Sequence, residues 1–437
     1  MTGWRHAPSD LVRSVFRTAT VRALCATTAG VALVSGCGVV PGGPGHGKDT
    51  VTVMTWAPVG TSSTNMPGTP AMAKAFAGWV NATGGLGGHK LRVLTCNEHN
   101  TPGGAATCAR EAVKADVDAV VGSYSQYGQQ FIAPLEAAAI PYLGGFGISD
   151  EEFSSFVSYP VNGGQAALLA GNGRQLAHSC ERTALVRPDT IGGDDFPDLL
   201  DSGLAQGHRR PTADIRAPEN ATDYTKQAEE AREHVAGAEG IGCVAAHLKD
   251  RTETFFDSYR RLPENPGAPA GGDIRISSVV GSVDQPLIDR TGGKGGPFEG
   301  AYITGWYPES GDPAWQPMRK VIDTYAFADN DIDPASPGVQ TTWIAYTALK
   351  QIIESVNDDE ITAGKITDTL DRGVTVNTGG LTPPLRWRYE DMLGAPGFPR
   401  IVNRDVTFQV VRGGRLVAQT KGFTDVGATL GNSATKS

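Results

Sequence analysis

The sequence lacks an apolar run long enough to cross a lipid bilayer as a helix, which takes about 20 residues. Its candidate, the stretch ALCATTAGVALVSG at residues 23–36, is too short for that. Positive charge is also scarce, since 38 lysines and arginines face 47 aspartates and glutamates, for a formal net charge of −9. An acidic surface argues against nucleic acid or an anionic membrane as the main partner. With 437 residues and 40% hydrophobic content, the chain is expected to form two or more folded domains.

The sequence also lacks the short motifs that mark common enzyme and nucleotide sites. Neither a G-x-S-x-G nucleophile elbow nor a G-x-x-x-x-G-K-[ST] phosphate loop occurs. The cluster Gly84–Gly88 lies between a predicted helix and a predicted strand, whereas a dinucleotide loop follows a strand. The run CNEH at residues 96–99 resembles part of a metal site, yet no second ligand pair lies at zinc-finger spacing. We therefore expect no cofactor and no metal, and a hydrolase on a two-lobed scaffold is the enzymatic alternative.

The N-terminus carries the features of an export signal. Residues 1–36 combine several arginines with the short apolar stretch, which is the pattern of a signal peptide. The stretch ends in Val34–Cys37, which resembles a bacterial lipobox, so Cys37 is the predicted site of lipidation. An ordinary signal peptide that happens to contain a cysteine is the alternative. Residues 37–49 are rich in glycine and proline and are predicted to form a flexible tether.

Four cysteines remain once Cys25 leaves with the signal peptide and Cys37 takes the lipid. An even number of cysteines in an exported chain indicates disulfides, and four cysteines allow three pairings. We favour Cys96–Cys108 and Cys180–Cys243. The first would close a short loop between a strand and the next helix, and the second would join the approaches to two strands.

Strand patterns alternate with helix patterns along the chain from Thr50 onward. Residues 50–56 and 90–96 have strand character, and residues 71–80 between them have the apolar spacing of a helix face. This alternation indicates parallel sheets covered by helices on both faces. Arg412–Arg415 is the turn of a predicted hairpin near the C-terminus. The strands are too numerous for one small sheet, so we predict an α/β fold with two doubly wound parallel sheets.

Residues 81–91, NATGGLGGHKL, resemble the N-x-x-G-G-[IL]-x-G-x-x-[IL] signature of type I periplasmic binding proteins, with the branched-chain amino-acid binding family nearest. The resemblance extends in the family's order through further segments. These are DVDAVVGSYSQ, AAAIPYLGGFG, FEGAYITGWYPE, GVQTTWIAYTALKQI and FQVVRGGRLVAQT. Together the segments cover most of the chain from Thr50 to about Phe423.

This resemblance implies two lobes joined by three crossing segments, with a ligand cleft between them. Lobe one would comprise residues 50–165 and 300–382, lobe two residues 166–299 and 383–423, and residues 424–437 would form a loose tail. The implied function is that of an extracytoplasmic, lipid-anchored subunit of an ABC importer. It would bind a small amino-acid-like or related solute by closure of the lobes and deliver it to a membrane permease with its ATPases. A surface sensor or regulator with the same fold, which transports nothing, is the alternative.

Ligands of such folds bind at the carboxyl ends of the parallel strands. The relevant loops here follow Trp56, Gly122, Leu143, Arg187, Leu248, Gly281 and Gly305. Candidate ligand contacts in or beside these loops are Trp56, Ser123, Tyr124, Ser125, Gln126, Phe146, Gly147, Ser149, Asp194, His247, Asp284 and Trp306. Hydroxyl and backbone N–H groups in the loops after Gly122 and Leu143 could hold a ligand carboxylate.

Each candidate also has a purely structural interpretation. The loop after Gly122 could be a simple capping turn, and Ser149 with Glu152 matches a helix capping box. The aromatic residues at strand ends could belong to the core, His247 could be a core histidine, and Asp194 could cap the next helix. The resemblance implies that Asp284 pairs with a ligand ammonium group. Relatives that bind amino acids usually have plainer Ser/Thr-rich loops than the one containing Phe146, so a larger or less polar solute is an equal alternative.

Overall fold

The computed structural model describes residues 49–433, apart from residues 62–63, 264–273, 328 and 396. The predicted signal peptide, the lipidation site Cys37 and nearly all of the tether lie outside the described residues. Within the described part of the chain, no helix combines the length and the apolar character that a membrane span requires.

The chain alternates strands and helices over most of its length. The strands are β1 (Thr50–Ala57), β2 (Lys90–Asn97), β3 (Ala119–Val121), β4 (Tyr142–Leu143), β5 (Ser158–Tyr159), β6 (Arg182–Pro188), β7 (Ala213–Ala217), β8 (Gly242–Ala246), β9 (Ile274–Val279), β10 (Tyr302–Gly305), β11 (Asp405–Arg412), β12 (Arg415–Ala418) and β13 (Thr424–Asp425). The helices are α1 (Gly68–Ala82), α2 (Pro102–Lys114), α3 (Gly128–Ala138), α4 (Glu151–Ser154), α5 (Gly164–Ser179), α6 (Phe196–Ala205), α7 (Thr225–Val235), α8 (Thr252–Arg260), α9 (Gln285–Arg290), α10 (Gln316–Tyr325), α11 (Pro337–Val356), α12 (Ala363–Asp371) and α13 (Gly427–Ser433).

These elements form two lobes, each built on its own sheet. The first sheet has the order β2-β1-β3-β4-β5, and its strand pairs are all parallel. The second has the order β12-β11-β10-β9-β8-β6-β7, with β13 paired to β11. Its strands β6 to β10 run parallel, and β11 and β12 form the predicted antiparallel hairpin. The prediction of an α/β fold with two doubly wound lobes is therefore confirmed.

Helices cover both faces of each sheet. In the first lobe, α1 and α11 pack on one face, where Phe76 contacts Trp343 and Tyr346 through their rings. The opposite face packs against α2 and α3. In the second lobe, α5, α6 and α13 share one apolar cluster, and α7, α8 and α9 share another. Burial of both faces explains why the inner strands β3 and β8 are continuous buried runs, whereas the edge strands β2 and β7 contain charged, exposed residues.

The turn at residues 81–91 ends α1 and starts β2, as the sequence predicts. Gly85 has φ +82°, and a Cβ atom there would lie 2.3 Å from the carbonyl oxygen of His89, so the turn requires glycine. The side chain of Asn81 accepts a hydrogen bond from the backbone N–H of Leu91 at 2.8 Å and donates one to the carbonyl of Leu91 at 2.9 Å. These paired bonds attach the end of the helix to the beginning of the strand.

The chain passes between the lobes three times, and two of these passages come later than the sequence predicts. Strand β10 pairs with β9 in the second sheet, so the chain returns to the first lobe after Gly305 rather than at residue 300. Leu385 and Trp387 belong to the core of the first lobe, so the last passage follows Trp387 rather than residue 382. The resemblance places these bounds from the order of the segments, whereas three-dimensional contacts decide which lobe a boundary segment joins.

The predicted loose tail is wrong for residues 424–433. Strand β13 pairs with β11, and helix α13 packs on α5 and α6 in the second lobe. Val426 and Leu430 are almost fully buried there. The small residues of this segment lower its hydrophobic signal but allow close packing. Residues 434–437 lie outside the described part.

Both favoured disulfides are present. Cys96–Cys108 connects the end of β2 to α2 with a Cα–Cα distance of 5.6 Å. Cys180–Cys243 connects the end of α5 to β8 with a Cα–Cα distance of 5.8 Å. Cys96 is thereby unavailable as a metal ligand.

The two disulfides are expected to contribute unequally to stability because they close loops of different length. The sequence separation is 12 for Cys96–Cys108 and 63 for Cys180–Cys243. Chain entropy predicts that replacing both cysteines by alanine lowers the free energy of unfolding by about 3 kcal/mol for the first pair and about 4 kcal/mol for the second. Urea denaturation of the two double variants measures this. A larger loss of stability for the Cys96–Cys108 pair would contradict the dependence on loop length.

Candidate functional site

The carboxyl ends of the strands in both sheets open onto a cleft between the lobes. The first lobe contributes the loops after β1, β3 and β4, and the second contributes the loops after β6, β7, β8 and β9. Residues from both lobes line each of three adjoining cavities, whose volumes are about 540, 280 and 40 Å³. The cleft is thus the place where one bound molecule could contact both lobes.

Two hydrogen bonds between described residues cross this cleft. The hydroxyl of Thr64 in the first lobe donates to the carboxylate of Asp250 in the second at 3.0 Å. The ammonium group of Lys249 donates to the side-chain oxygen of Gln126 at 3.3 Å. Burial lowers the pKa of Lys249, and the charges of Glu219 and Asp250 oppose that shift. These contacts hold the two walls together where the larger cavities meet.

The smallest cavity has an aromatic wall. The ring of Phe146 lies 5.0 Å from that of Tyr124 and 5.1 Å from that of Trp306, measured between centroids. Leu168 and Val279 extend this apolar lining on the side of the second lobe. Burial is the main cause that raises the pKa of the Tyr124 hydroxyl. The wall is therefore uncharged and suited to an apolar or aromatic group.

The charged residues that line the largest of these three cavities are mostly acidic. Asp150 and Glu151 reach it from the first lobe, and Asp195 and Glu219 reach it from the second. Lys249 is the basic residue of its lining. The pKa of Asp150 is raised, first by desolvation and then by the charge of Asp195 across the cleft.

The backbone N–H groups after β4 are occupied by a carboxylate of the same chain. Glu152 accepts hydrogen bonds from the N–H groups of Gly147 at 3.0 Å, Ile148 at 3.0 Å and Ser149 at 3.1 Å. The Ser149 hydroxyl donates to the same side chain at 3.2 Å. Burial raises the pKa of Glu152 to about 7, and the donated bonds oppose that rise. The sequence indicates a capping box here, but the side chain reaches further back along the loop.

A second internal carboxylate occupies the loop after β3. The buried side chain of Glu98 accepts a hydrogen bond of 2.8 Å from the hydroxyl of Ser125. Burial raises the pKa of Glu98, whereas the bond from Ser125 lowers it. Ser123 is also committed, since its side-chain oxygen accepts a bond of 3.1 Å from the N–H of Trp56. Hydroxyls that the sequence offers to a ligand carboxylate thus serve the first lobe itself.

The structure divides the sequence candidates into two groups. Those that line the cleft cavities are Tyr124, Gln126, Phe146, Gly147, Ser149 and Trp306. Those that lie elsewhere or beneath the cleft surface are Trp56, Ser123, Ser125, Asp194, His247 and Asp284.

Contacts within the fold explain why three residues of the second group do not line the cleft cavities. Trp56 is fully buried against Phe131 and Tyr142, because strand alternation turns it toward the face covered by α2 and α3. Asp194 forms an ion pair of 2.8 Å with Arg187. Asp284 caps α9 by accepting a bond of 3.0 Å from the N–H of Leu287.

Sequence reasoning missed several residues that shape the cleft, including the acidic lining residue Glu219 and four that are described next. Thr64 lies in a polar loop whose composition gives no sign of a role in the cleft. Lys249 and Asp250 lie in the loop after Leu248, which the sequence places at the cleft without singling out these two side chains. The role of Glu152 was hidden because a capping box explains the same spacing. Within the part of the chain that the structure describes, no cluster of three His, Cys, Asp or Glu side chains could hold a metal ion.

Comparisons with known proteins agree with this architecture. A family model described as periplasmic binding protein matches residues 54–394, which is more than half of the chain. No curated protein sequence matches the chain.

Among solved structures, a possible leucine/isoleucine/valine-binding protein from Rhodopirellula baltica is similar, with a TM-score of 0.68 and 13% identity over 85% of this chain and 97% of that one. A solute binding protein of an ABC transporter from R. palustris, in complex with 4-hydroxybenzoate, has a TM-score of 0.67 and 14% identity over 86% and 97%. A fatty acid ABC transporter substrate-binding protein from Thermomonospora curvata has a TM-score of 0.66 and 13% identity over 88% and 95%. At these identities the likeness concerns the fold.

His247 provides a test of the electrostatics under the cleft. It is 1% exposed, and its two ring nitrogens have no hydrogen-bond partner among the described residues. Burial lowers its pKa to about 3, whereas its pKa in the unfolded chain is about 6.5. Between these values the unfolded state binds a proton that the folded state does not, so stability falls as the pH drops from about 6.5 toward 3.

We therefore expect His247→Leu to reduce this acid sensitivity. The loss of unfolding free energy between pH 7.5 and pH 5 should be smaller in the variant by about 2 kcal/mol, because 1.36 kcal/mol accompanies each pH unit below 6.5. Urea denaturation at the two pH values measures it. The exposed His234 provides the control variant His234→Leu, which should retain the loss of the unmodified protein. An unchanged loss in His247→Leu would show that His247 is not buried in its neutral form.

Proposed function

The chain belongs to the periplasmic binding protein family, and we propose that it is the extracytoplasmic, lipid-anchored solute-binding subunit of an ABC importer. The observation that carries this proposal is the cleft, in which side chains of both lobes line the same cavities and two hydrogen bonds join the walls. Such a site gains its affinity by enclosing a molecule between two rigid bodies. Its work is binding and release, without covalent chemistry.

The architecture supports transport by closure. Three passages connect the lobes, so a change in backbone angles at these passages could open and close the cleft as a hinge. A membrane permease with its ATPases would recognise the closed form. Two similar structures are described as parts of ABC transporters, and one of them holds 4-hydroxybenzoate, which supports a small molecule as the cargo. A surface sensor with the same fold would bind its ligand equally but associate with no permease.

The bond between Thr64 and Asp250 is expected to stabilise the closed form. A thermal-shift screen over amines, amino acids, amides, sugars and aromatic acids first identifies a ligand, since binding raises the melting temperature by mass action. With that ligand, Asp250→Ala should weaken binding about fivefold, because a hydrogen bond contributes about 1 kcal/mol. Small-angle scattering should show ligand-induced compaction of the unmodified protein and less compaction of the variant.

The matched control is Asp198→Ala, which changes an exposed aspartate on α6. It should bind and compact like the unmodified protein. Absence of compaction in the unmodified protein with a tightly bound ligand would contradict closure as the mechanism.

The lipid anchor is supported by the residues before Cys37 and has its own test. Cys37→Ala in the full-length chain, expressed in a bacterium, should move the protein from the membrane fraction to the soluble fraction. The reason is that the anchor supplies membrane affinity through its acyl chains. Cys25→Ala changes the other cysteine of the N-terminal region and should leave the protein with the membrane. Equal fractionation of Cys37→Ala and the unmodified chain would refute lipidation at Cys37.

A further inference from the structure

The cleft offers few free donors to a ligand carboxylate on the side of the first lobe. The N–H groups of residues 147–149 point at Glu152, and their distances of 3.0 to 3.1 Å are those of formed hydrogen bonds. The hydroxyl of Ser125 donates to Glu98. Both carboxylate oxygens of Glu152 take part in these bonds. A ligand carboxylate would have to displace a buried side chain before these groups could bind it.

Acidic side chains outnumber basic ones around the larger cavity. Asp150, Glu151, Asp195 and Glu219 line it from both lobes, against Lys249. The ammonium group of Lys249 already donates to Gln126 and lies in the field of Glu219 and Asp250. The electrostatic environment of this cavity therefore favours a positive group over a negative one.

The adjoining aromatic wall favours an apolar body. Tyr124, Phe146 and Trp306 form a continuous set of ring contacts at the junction of the lobes. The indole N–H of Trp306 donates to the carbonyl of Gly164 at 2.9 Å, so this ring presents carbon rather than a donor to the cavity. The two cavities share Gly147, Ile148, Gln165 and Lys249 in their linings, so a molecule of modest length could contact both the aromatic wall and the acidic residues.

We propose that the cleft selects small aromatic or apolar amines that carry no free carboxylate. The ring would lie against the wall of Tyr124, Phe146 and Trp306, and the ammonium group would lie among Asp150, Asp195 and Glu219. This inference rests on the proposed function and specifies its solute. It also separates this chain from the similar protein that holds 4-hydroxybenzoate, a carboxylate.

The test compares probes that share one ring and differ in the charged group. 4-Hydroxybenzylamine, 4-hydroxybenzamide and 4-hydroxybenzoate, and likewise phenethylamine, phenylacetamide and phenylacetate, are titrated into the mature protein by calorimetry at pH 7.5 and low salt. We expect each amine to bind at least tenfold more tightly than the matching acid, with the amide between them. Equal or tighter binding of the acids would overturn the proposal. A sugar as the sole ligand of the wider screen would also overturn it, and would leave the proposed function intact. Failure of every solute to bind would count against the proposed function itself.

Charge variants test where the ammonium group lies. Asp195→Asn and Glu219→Gln remove exposed carboxylates that line the cavity, and each should weaken binding of the amine two- to fivefold. Asp198→Asn and Glu229→Gln change exposed residues of α6 and α7 in the same lobe and should leave the affinity unchanged. Equal effects of the two pairs would refute a specific position for the positive group.

A final variant tests the role of Glu152. Glu152→Ala frees the N–H groups of residues 147–149, so its affinity for 4-hydroxybenzoate should rise at least fivefold while its circular dichroism remains that of the unmodified protein. A folded variant that gains no affinity for the acid would contradict the blocking role. If the variant does not fold, the comparison of amines with acids and the charge variants decide the question.

Discussion

The three passages between the lobes are bonded to one another around residues 160–164, and the geometry of the cleft depends on this contact. The indole N–H of Trp387 donates to the carbonyl of Pro160 at 2.8 Å, and that of Trp306 donates to Gly164 at 2.9 Å. The amide of Asn162 donates to the hydroxyl of Tyr307 at 3.0 Å. Each bond joins the first passage to another one. Because all three passages meet there, these few residues are where a rotation between the lobes would be absorbed.

Local structure was predictable from the sequence wherever a short residue pattern is compatible with only one backbone conformation. Asn81 and the glycines after it require a helix end followed by a strand, and the structure has that turn with the side chain of Asn81 bonded to Leu91. Which of the two sheets a given strand joins was less predictable. Tyr302–Gly305 reads as a strand in any setting, and only its partners show that it belongs to the second lobe. The same limit applies to the last segment, since the burial of Val426 and Leu430 depends on helices distant in sequence.

The site was predictable as a set of loops but not as a set of contacts. The loops after β3 and β4 were expected to offer hydroxyl and N–H groups, and they contain them. Which partner takes those groups depends on side chains that are positioned by the fold, namely Glu98 for Ser125 and Glu152 for residues 147–149. The Ser149–Glu152 spacing is the same for a helix cap and for an internal carboxylate that fills a loop. The pattern of residues therefore identifies the donors, and the three-dimensional structure identifies their acceptor.

The carboxylate of Glu152 in the loop after β4 also affects the free energy of binding an anion in the cleft. Two unit charges 4 Å apart interact by about 4 kcal/mol at an effective dielectric constant of 20, which corresponds to roughly three powers of ten in affinity. A ligand carboxylate near Glu152 would meet this repulsion or force a proton onto Glu152, whose pKa burial has already raised to about 7. Because that pKa lies near 7, proton uptake at pH 7.5 costs about 1 kcal/mol, so protonation reduces the penalty without removing it. An ammonium group in the same place needs no such change, because it is attracted by the carboxylates that the fold already holds at the cleft. Under the proposed selection of amines, the hydrogen bonds that order the loop after β4 would thus also set the sign of the charge that the cleft accepts.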